Sequence, residues 1–143
     1  MRHDDIFSEF DALFADLTRR SRPGGFEPNC DVAMSADGET IVVTVEIAGA
    51  DPSDLRVGVE ARHLLIAGRR ADHDRPVRGT FLMKEIAYGA FVKKIRLPVA
   101  IAYEDASASY RDGLLTIRLP ISELDATPTH RTEIQMTVRR ILA

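Results

Sequence analysis

Few side chains in this sequence have the type and spacing that covalent or metal chemistry needs. Cys30 is the only cysteine, so neither an internal disulfide nor an all-cysteine metal site is available. A nucleophilic cysteine also needs a partner base and an electropositive environment, whereas Cys30 is followed by the acidic Asp31. We therefore expect Cys30 to have no catalytic role.

The histidines and the known enzyme motifs lead to the same expectation. Asp72, His73 and Asp74 are adjacent and offer ligands for a divalent ion, but a loop with charges of both signs is usually just solvated. The sequence has no paired histidine motif, no G-x-S-x-G nucleophile elbow and no glycine-rich phosphate loop. We expect no catalytic residue, no metal and no cofactor, and a function that proceeds without nucleotide hydrolysis.

Charge and hydropathy exclude two further classes of function. The 19 basic and 22 acidic residues give a net charge of −3, and the basic pairs Arg69–Arg70 and Lys93–Lys94 are too small for a nucleic-acid footprint. The apolar runs are far shorter than the roughly 20 residues that span a bilayer. The first ten residues have no apolar signal-peptide core, so we expect a cytoplasmic protein without stable membrane insertion.

The middle of the chain has the alternation of β-strands. Residues 40–47 read TIVVTVEI, which places Ile41, Val43, Val45 and Ile47 on one face of a strand. Similar short segments recur up to Pro120 and are separated by turn signals such as Asp37–Gly38 and Asp112–Gly113. Seven or eight such strands predict an all-β, immunoglobulin-like antiparallel β-sandwich over residues 28–121.

An N-terminal arm, residues 1–27, has a different pattern. Apolar residues at spacings of three and four predict a short amphipathic helix, which a breaker segment at 21–25 (SRPGG) separates from the strands. The arm either binds other chains or packs on its own domain; acidic residues in it argue against a membrane-surface helix. The stripe and its neighbour Phe7 comprise Ile6, Phe7, Phe10, Leu13, Phe14 and Leu17.

The C-terminal tail, residues 122–143, is a polar spacer followed by an alternating apolar segment. Ile134, Met136 and Val138 alternate like an exposed strand. Such a segment is typical of a ligand for a sheet edge or groove, and the alternative is a last strand of the chain's own sandwich.

Four motifs in order resemble those of the small heat-shock protein (α-crystallin domain) family. Residues 48–55 (AGADPSDL) resemble its P-G-x-x-x-x-D-[IL] turn, and residues 64–68 (LLIAG) its L-x-I-x-G strand. Residues 88–98 resemble its Y-G-x-F…L-P strand. Residues 108–115 (ASYRDGLL) resemble its A-x-x-x-[ND]-G-[VL]-L signature. Together the motifs cover about two thirds of the chain.

Two positions and the tail motif depart from the family pattern. Ala48 stands where the family usually has Pro, and Lys93 stands where it usually has Arg. Because a lysine cannot form a bidentate pair with a carboxylate, an ion pair at this position is altered. The family's I-x-[IV] tail motif is replaced by the near matches Ile134–Gln135–Met136 and Met136–Thr137–Val138.

The resemblance implies an ATP-independent holdase chaperone that binds partly unfolded client proteins and prevents their aggregation. The apolar arm residues named above then form the client-binding surface. The resemblance further implies a homo-oligomer built from strand-exchanged dimers, in which the loop 69–85 of one subunit is expected to pair with the first strand of its partner. The residues expected in this exchange are Phe81, Leu82, Met83, Lys84, Val32 and Met34.

The resemblance also implies that the tail docks in a groove of a neighbouring dimer. Leu64, Ile66, Leu115 and Ile117 are candidates for that groove, with sandwich core as the alternative, and Ile134, Met136 and Val138 are the candidate tail contacts. A competing function is a β-sandwich interaction module or co-chaperone with selective partners and no general holdase activity. A hydrolase on this scaffold lacks a nucleophile–base pair.

Overall fold

The chain folds into two β-sheets. The computed structural model describes residues 26–60, 62–72, 79–123 and 132–138. The five-stranded sheet has the order β1-β2-β7-β6-β9, and the four-stranded sheet has the order β5-β4-β3-β8. The strands are β1 (Cys30–Met34), β2 (Thr40–Glu46), β3 (Arg56–Glu60), β4 (His63–Arg70), β5 (Gly89–Arg96), β6 (Ser107–Arg111), β7 (Leu114–Pro120), β8 (Thr132–Glu133) and β9 (Met136–Val138).

The alternating strands place their apolar residues between the two sheets. In β2 the residues alternate between buried and half-buried, and β7 repeats this pattern beside it in antiparallel register. The prediction of an all-β sandwich is therefore confirmed. The core of buried residues includes Ile41, Val43, Val45, Ile47, Leu55, Val57, Val59, Leu64, Ile66, Phe91, Leu97, Ile101, Leu115, Ile117 and Leu119.

The two predicted turns have physical support in the structure. Asp37 Oδ1 accepts hydrogen bonds from Ser35 Oγ at 2.6 Å and from the backbone N–H of Glu39 at 2.9 Å, which closes the β1–β2 hairpin. Gly113 has φ of +78°, and a Cβ there would lie 2.9 Å from Ala48 Cβ. The turn between β6 and β7 therefore requires glycine for both its backbone angle and its close approach to residue 48.

The loop between β4 and β5 contains residues 81–84, which the resemblance implies pair as a strand with a partner subunit. Those residues form no strand in the single chain, and residues 79–87 are exposed. A strand needs a partner for its backbone hydrogen bonds, and no described strand of the same chain pairs with this segment. β4 in turn continues to Arg70, two residues into the predicted loop.

Two short tail strands extend the sheets. β8 pairs with β3 in antiparallel register, whereas β9 pairs with β6 in parallel register. The tail therefore adds a strand to each sheet of its own sandwich. The predicted helical arm lies outside the described residues, apart from Phe26 and Glu27 at its end.

Candidate functional site

The tail binds along the groove between β3 and β6, at the open side of the sandwich. Ile134 is only 5% exposed and packs within the core cluster, and its N–H donates to the Val57 carbonyl oxygen at 2.8 Å. Met136 is half-buried against the same cluster and lies opposite Ala108. The Ile134–Gln135–Met136 segment thus bridges the two sheets, with the side chain of Gln135 exposed between its two apolar neighbours.

The strand on one side of this groove is held by a half-buried tyrosine. Tyr110 in β6 donates its hydroxyl to the carbonyl oxygen of Ile47 at 2.8 Å, and its ring packs against the core. Burial raises the pKa of Tyr110, so the phenol remains a donor at neutral pH. The hydrogen bond ties β6 to the end of β2 and fixes one side of the groove.

A charged pair lies beside the docked tail. Arg56 Nε is 3.7 Å from Glu133 Oε1, and the Glu133 side chain is only 16% exposed. Burial raises the pKa of the Glu133 carboxyl, and the nearby Arg56 opposes that shift. The docked tail therefore carries a carboxylate that water solvates poorly.

The four residues predicted as the groove lie deeper than the groove itself. Leu64, Ile66, Leu115 and Ile117 are all 0% exposed and belong to the core cluster that also contains Ile134. The backbone partners of the tail are on β3 and β6, whereas these four residues lie on β4 and β7. The burial supports the alternative reading of them as sandwich core.

A second candidate surface consists of exposed apolar side chains on the outermost strand of the five-stranded sheet and in the loop between β4 and β5. β1 is the outermost strand of the five-stranded sheet, and Val32 and Met34 on it are 47% and 54% exposed. In the loop, Leu82 is fully exposed and Met83 is 75% exposed. The residues predicted for strand exchange are thus available for contact, and the single chain does not bring the loop and β1 together as strands.

Arg70 organises the junction where the arm and the loop meet. Its guanidinium lies 4.1 Å from the ring centroid of Phe26 and 5.5 Å from that of Tyr88. It also donates hydrogen bonds to the carbonyl oxygens of Ala87 and Ala48. One side chain therefore connects the end of the arm, the end of the loop and the turn after β2.

Lys93 contacts Glu27 and Pro28, the two residues that follow Phe26 at this junction. Its Nζ donates to the Pro28 carbonyl oxygen at 3.0 Å and lies 3.5 Å from Glu27 Oε1. Phe26 packs edge-on against Phe91 at 5.6 Å between ring centroids. Lys93, which stands where the family usually has Arg, therefore contacts the start of the sandwich within the same chain.

Lys84 contacts aromatic and acidic side chains around the loop between β4 and β5. Lys84 Nζ lies 5.0 Å from the ring centroid of Phe81 and 4.8 Å from that of Tyr88, and it is 3.9 Å from Asp72 Oδ2. These contacts hold the loop near β4 while Leu82 and Met83 remain exposed.

Several functional residues were missing from the sequence-based prediction. Arg70 and Tyr88 act through contacts between segments far apart in sequence, for which a single sequence has no local signal. Val57 and Ala108 pair with the tail. The alternation of apolar residues in their strands indicates only that their side chains face the core. The predicted client-binding residues Ile6, Phe7, Phe10, Leu13, Phe14 and Leu17 lie outside the described residues.

The described part of the chain holds neither a metal-type cluster of side chains nor a helix of membrane-spanning length. Residues 26–60, 62–72, 79–123 and 132–138 contain no group of three acidic, histidine or cysteine side chains placed to hold a metal ion. Over the same residues no helix is long and apolar enough to cross a membrane.

Known proteins resemble this chain over most of its length. The sequence profile of the Hsp20/alpha crystallin family matches residues 33–137. The alpha-crystallin of Mycobacterium tuberculosis is 30% identical over 131 residues, which cover 87% of this chain and 86% of the relative. The 18 kDa heat shock protein of Streptomyces albus G is 29% identical over 121 residues, or 83% of this chain and 82% of the relative.

Solved structures show the same relationship. Heat shock protein 16.0 from Schizosaccharomyces pombe aligns with a TM-score of 0.62 at 25% identity and covers 80% of this chain and 99% of its own. A small heat-shock protein from Xylella fastidiosa aligns with a TM-score of 0.61 at 25% identity and covers 84% and 98%. The β-sandwich, its ordered motifs and these matches together show that the chain belongs to the Hsp20/alpha crystallin family of small heat-shock proteins.

Proposed function

We propose that this chain is an ATP-independent holdase of the cytoplasm, which binds partly unfolded proteins through apolar surface and prevents their aggregation. The observation that carries the proposal is the family membership of a sandwich that displays apolar side chains on its edge strand β1 and in the loop between β4 and β5. Unfolding proteins expose apolar segments and unpaired strands, and these features drive their association. A chain with adaptable apolar side chains competes for the same contacts.

The exposed side chains are of a kind suited to varied clients and partners. Met34 and Met83 are flexible and polarisable, so they fit irregular surfaces better than branched residues do. The arm contributes three further Phe residues in its first 14 positions. Each fully buried Phe or Leu contributes about 1.5–3 kcal/mol, so several weak contacts on one oligomer give useful avidity.

Strand exchange between two copies is the assembly that we propose. The outer edge of β1 carries unpaired backbone groups, and residues 81–86 have strand-like sequence without a strand partner in their own chain. Pairing the loop of each chain with β1 of the other satisfies both, and it covers Val32 and Met34. A two-fold dimer of this kind is the building block of the larger oligomer.

Aggregation of a heated model client is the test of the holdase function. We expect the wild-type chain to suppress light scattering of the client at a several-fold molar excess without ATP. The triple variant F10S/F14S/L17S should lose most of this suppression, because it removes the apolar stripe of the arm. The matched control A12S/A15S changes small residues of the same segment and should suppress as the wild type does.

Two outcomes would count against this function. If the wild-type chain leaves client scattering unchanged while its oligomer is intact, the chain is not a general holdase. If the stripe variant suppresses as well as the control, client binding lies elsewhere, and the exposed edge and loop become the remaining candidates.

A further inference from the structure

The docked tail presents neighbouring residues to two different environments. Ile134 packs into the core between the sheets, so Glu133 before it points to the outer face of the four-stranded sheet. Glu133 pairs with Gly58 of β3, which is buried and has no side chain. The nearest outer-face side chains of β3 are therefore those two residues away from Gly58, at the diagonal positions.

The two diagonal neighbours have opposite charges. Arg56 lies two residues before Gly58 and Glu60 lies two residues after it, and both are half-buried. Arg56 Nε approaches Glu133 Oε1 to 3.7 Å. Lys94 occupies the same row of the sheet as Glu133 but lies three strands away, which is about 14 Å between backbones. Arg56 is therefore placed to read the charge of the tail at position 133.

Arg56 is held by contacts that do not involve the tail. Its Nη1 donates hydrogen bonds to the carbonyl oxygens of Ser53 at 2.8 Å and of Leu55 at 3.0 Å. Ser53 belongs to the 3-10 turn Pro52–Asp54, and Asp51 caps this turn by accepting from the N–H of Ser53 at 2.9 Å and from its hydroxyl at 2.8 Å. Because its own strand and turn orient the guanidinium, docking of a tail costs little further loss of side-chain freedom.

The other contacts of the tail give affinity without reading charge. The N–H of Ile134 donates to the Val57 carbonyl oxygen, and β8 and β9 pair with β3 and β6 through their backbones. Such pairing carries little sequence information, whereas the packing of Ile134 and Met136 reads size and apolar character.

Glu133 is the one charged residue of the tail between positions 132 and 138. Its side chain is only 16% exposed, so water screens its interaction with Arg56 less than at a fully exposed site. A cation at position 133 would lie beside the Arg56 guanidinium at this same site. Like charges placed together at an interface disfavour the wrong partner more than opposite charges favour the right one.

We propose that Arg56 selects the tails that this groove accepts, favouring an acidic residue directly before the anchoring isoleucine and rejecting a basic one. The partner that fits is a tail of the form acidic–Ile–x–Met, which a second copy of this chain supplies. A tail with lysine or arginine at that position is excluded even when its apolar residues fit. The inference goes beyond the proposed function, because it concerns which chains assemble and requires no client.

Exchanging the two charges in the full chain tests the selection. The readout is the hydrogen-exchange protection of the Ile134 amide. We expect E133K and R56E each to lower the protection factor by about five-fold or more, because each variant places two like charges side by side. The double variant R56E/E133K restores opposite charges, so its protection should exceed that of either single variant by at least about three-fold.

The charge exchange also separates selection from a structural role of Arg56. R56E loses the hydrogen bonds to Ser53 and Leu55 in the single and the double variant alike. A defect caused only by the loss of those bonds would persist in R56E/E133K. Recovery in the double variant therefore reports the charge pair itself.

Q135K is the matched control for the tail. It adds the same lysine at an exposed side chain, so the protection of the Ile134 amide should stay within about two-fold of wild type. Amides of β2 and β7 report whether each variant remains folded. The proposal is overturned if the losses of E133K and R56E simply add in the double variant, or if Q135K loses as much protection as E133K.

A tail supplied from outside tests selection between chains. The receptor is the full-length I134A variant, because loss of the anchoring side chain should release its own tail. Fluorescence anisotropy then measures the binding of a labelled peptide of residues 130–140. We expect this peptide to bind at least about three-fold more tightly than the same peptide with E133K, and the preference should reverse in I134A/R56E. Equal binding of the two peptides, or binding of neither, would overturn the proposal.

Discussion

The guanidinium of Arg70 lies 4.1 Å from the ring centroid of Phe26, at the point where the arm joins the sandwich. The same side chain donates hydrogen bonds to the carbonyl oxygens of Ala87 and Ala48. A planar guanidinium can stack on a ring with its face and donate from its edge at once, and an ammonium cannot. Arg70 therefore couples the arm, the loop and the turn after β2 through one set of contacts.

Replacing Arg70 with Lys tests this coupling. R70K keeps the charge but loses the stacked face and the paired donors, so we expect the free energy of unfolding to fall by about 1–2 kcal/mol. R69K changes the neighbouring, exposed arginine in the same way and should cost less than about 0.5 kcal/mol. Denaturant unfolding followed by circular dichroism measures both. Equal effects of the two substitutions would show that Arg70 has no special role at the junction.

Ile134 is the side chain that anchors the tail. Replacing a buried isoleucine with alanine usually destabilises the folded state by about 2–5 kcal/mol. The short tail has little other free energy of binding. We therefore expect I134A to release the tail instead of leaving a cavity. The amide of residue 134, which donates to the Val57 carbonyl oxygen, should then lose its protection from hydrogen exchange.

Gln135 provides the control for this experiment. It lies between the two anchoring residues and its side chain is exposed, so Q135A should leave the protection of residue 134 unchanged. A released tail in Q135A, or a protected amide in I134A, would mean that the backbone strands hold the tail and the buried isoleucine does not.

The half-buried carboxyl of Glu133 should make tail docking depend on pH. Its pKa is raised from 4.5 in the docked tail by burial, so the docked form binds a proton more readily than the free tail. Docking is thus strongest below that value and weakens as the pH rises through the raised pKa of Glu133. The protection factor of the Ile134 amide, corrected for intrinsic exchange, should decrease over this range in wild type.

Two variants isolate the contribution of Glu133. E133Q removes the titrating group and should give a protection factor that changes little from pH 4.5 upward. R56M removes the nearby cation and should steepen the dependence, because Arg56 opposes the effect of burial. Parallel curves for wild type and E133Q would assign any pH dependence to another group.

The periodicity of the strands predicted the sandwich correctly because burial on one face of a sheet produces alternation that is visible locally. The alternation of Ile41, Val43 and Val45 in β2 is an example. The same signal could not separate the groove from the core. Ile66 and Val57 have equivalent patterns, and only their places in the sheet decide that β3 contacts the tail.

The sequence contains a signal that β4 is buried on both faces. Residues 64–67 (LLIA) are apolar without alternation, which is typical of a strand buried on both faces. The L-x-I-x-G pattern of the family fixes residues 64, 66 and 68 of this segment and leaves Leu65 and Ala67 undefined. The junction formed by Arg70, Tyr88 and Phe26 had no such signal, because it joins residues up to 62 positions apart.

The exposed loop between β4 and β5 allows a test of assembly that does not involve the arm. Leu82 is fully exposed in the single chain, so a polar residue there costs the isolated subunit almost nothing. If the loop pairs with β1 of a second chain, the double variant L82S/M83S should lower the particle mass measured by light scattering. L114S also replaces an exposed leucine, 42% exposed at the start of β7, and should keep the wild-type mass. A loop variant with unchanged mass would place the assembly contacts outside residues 81–86.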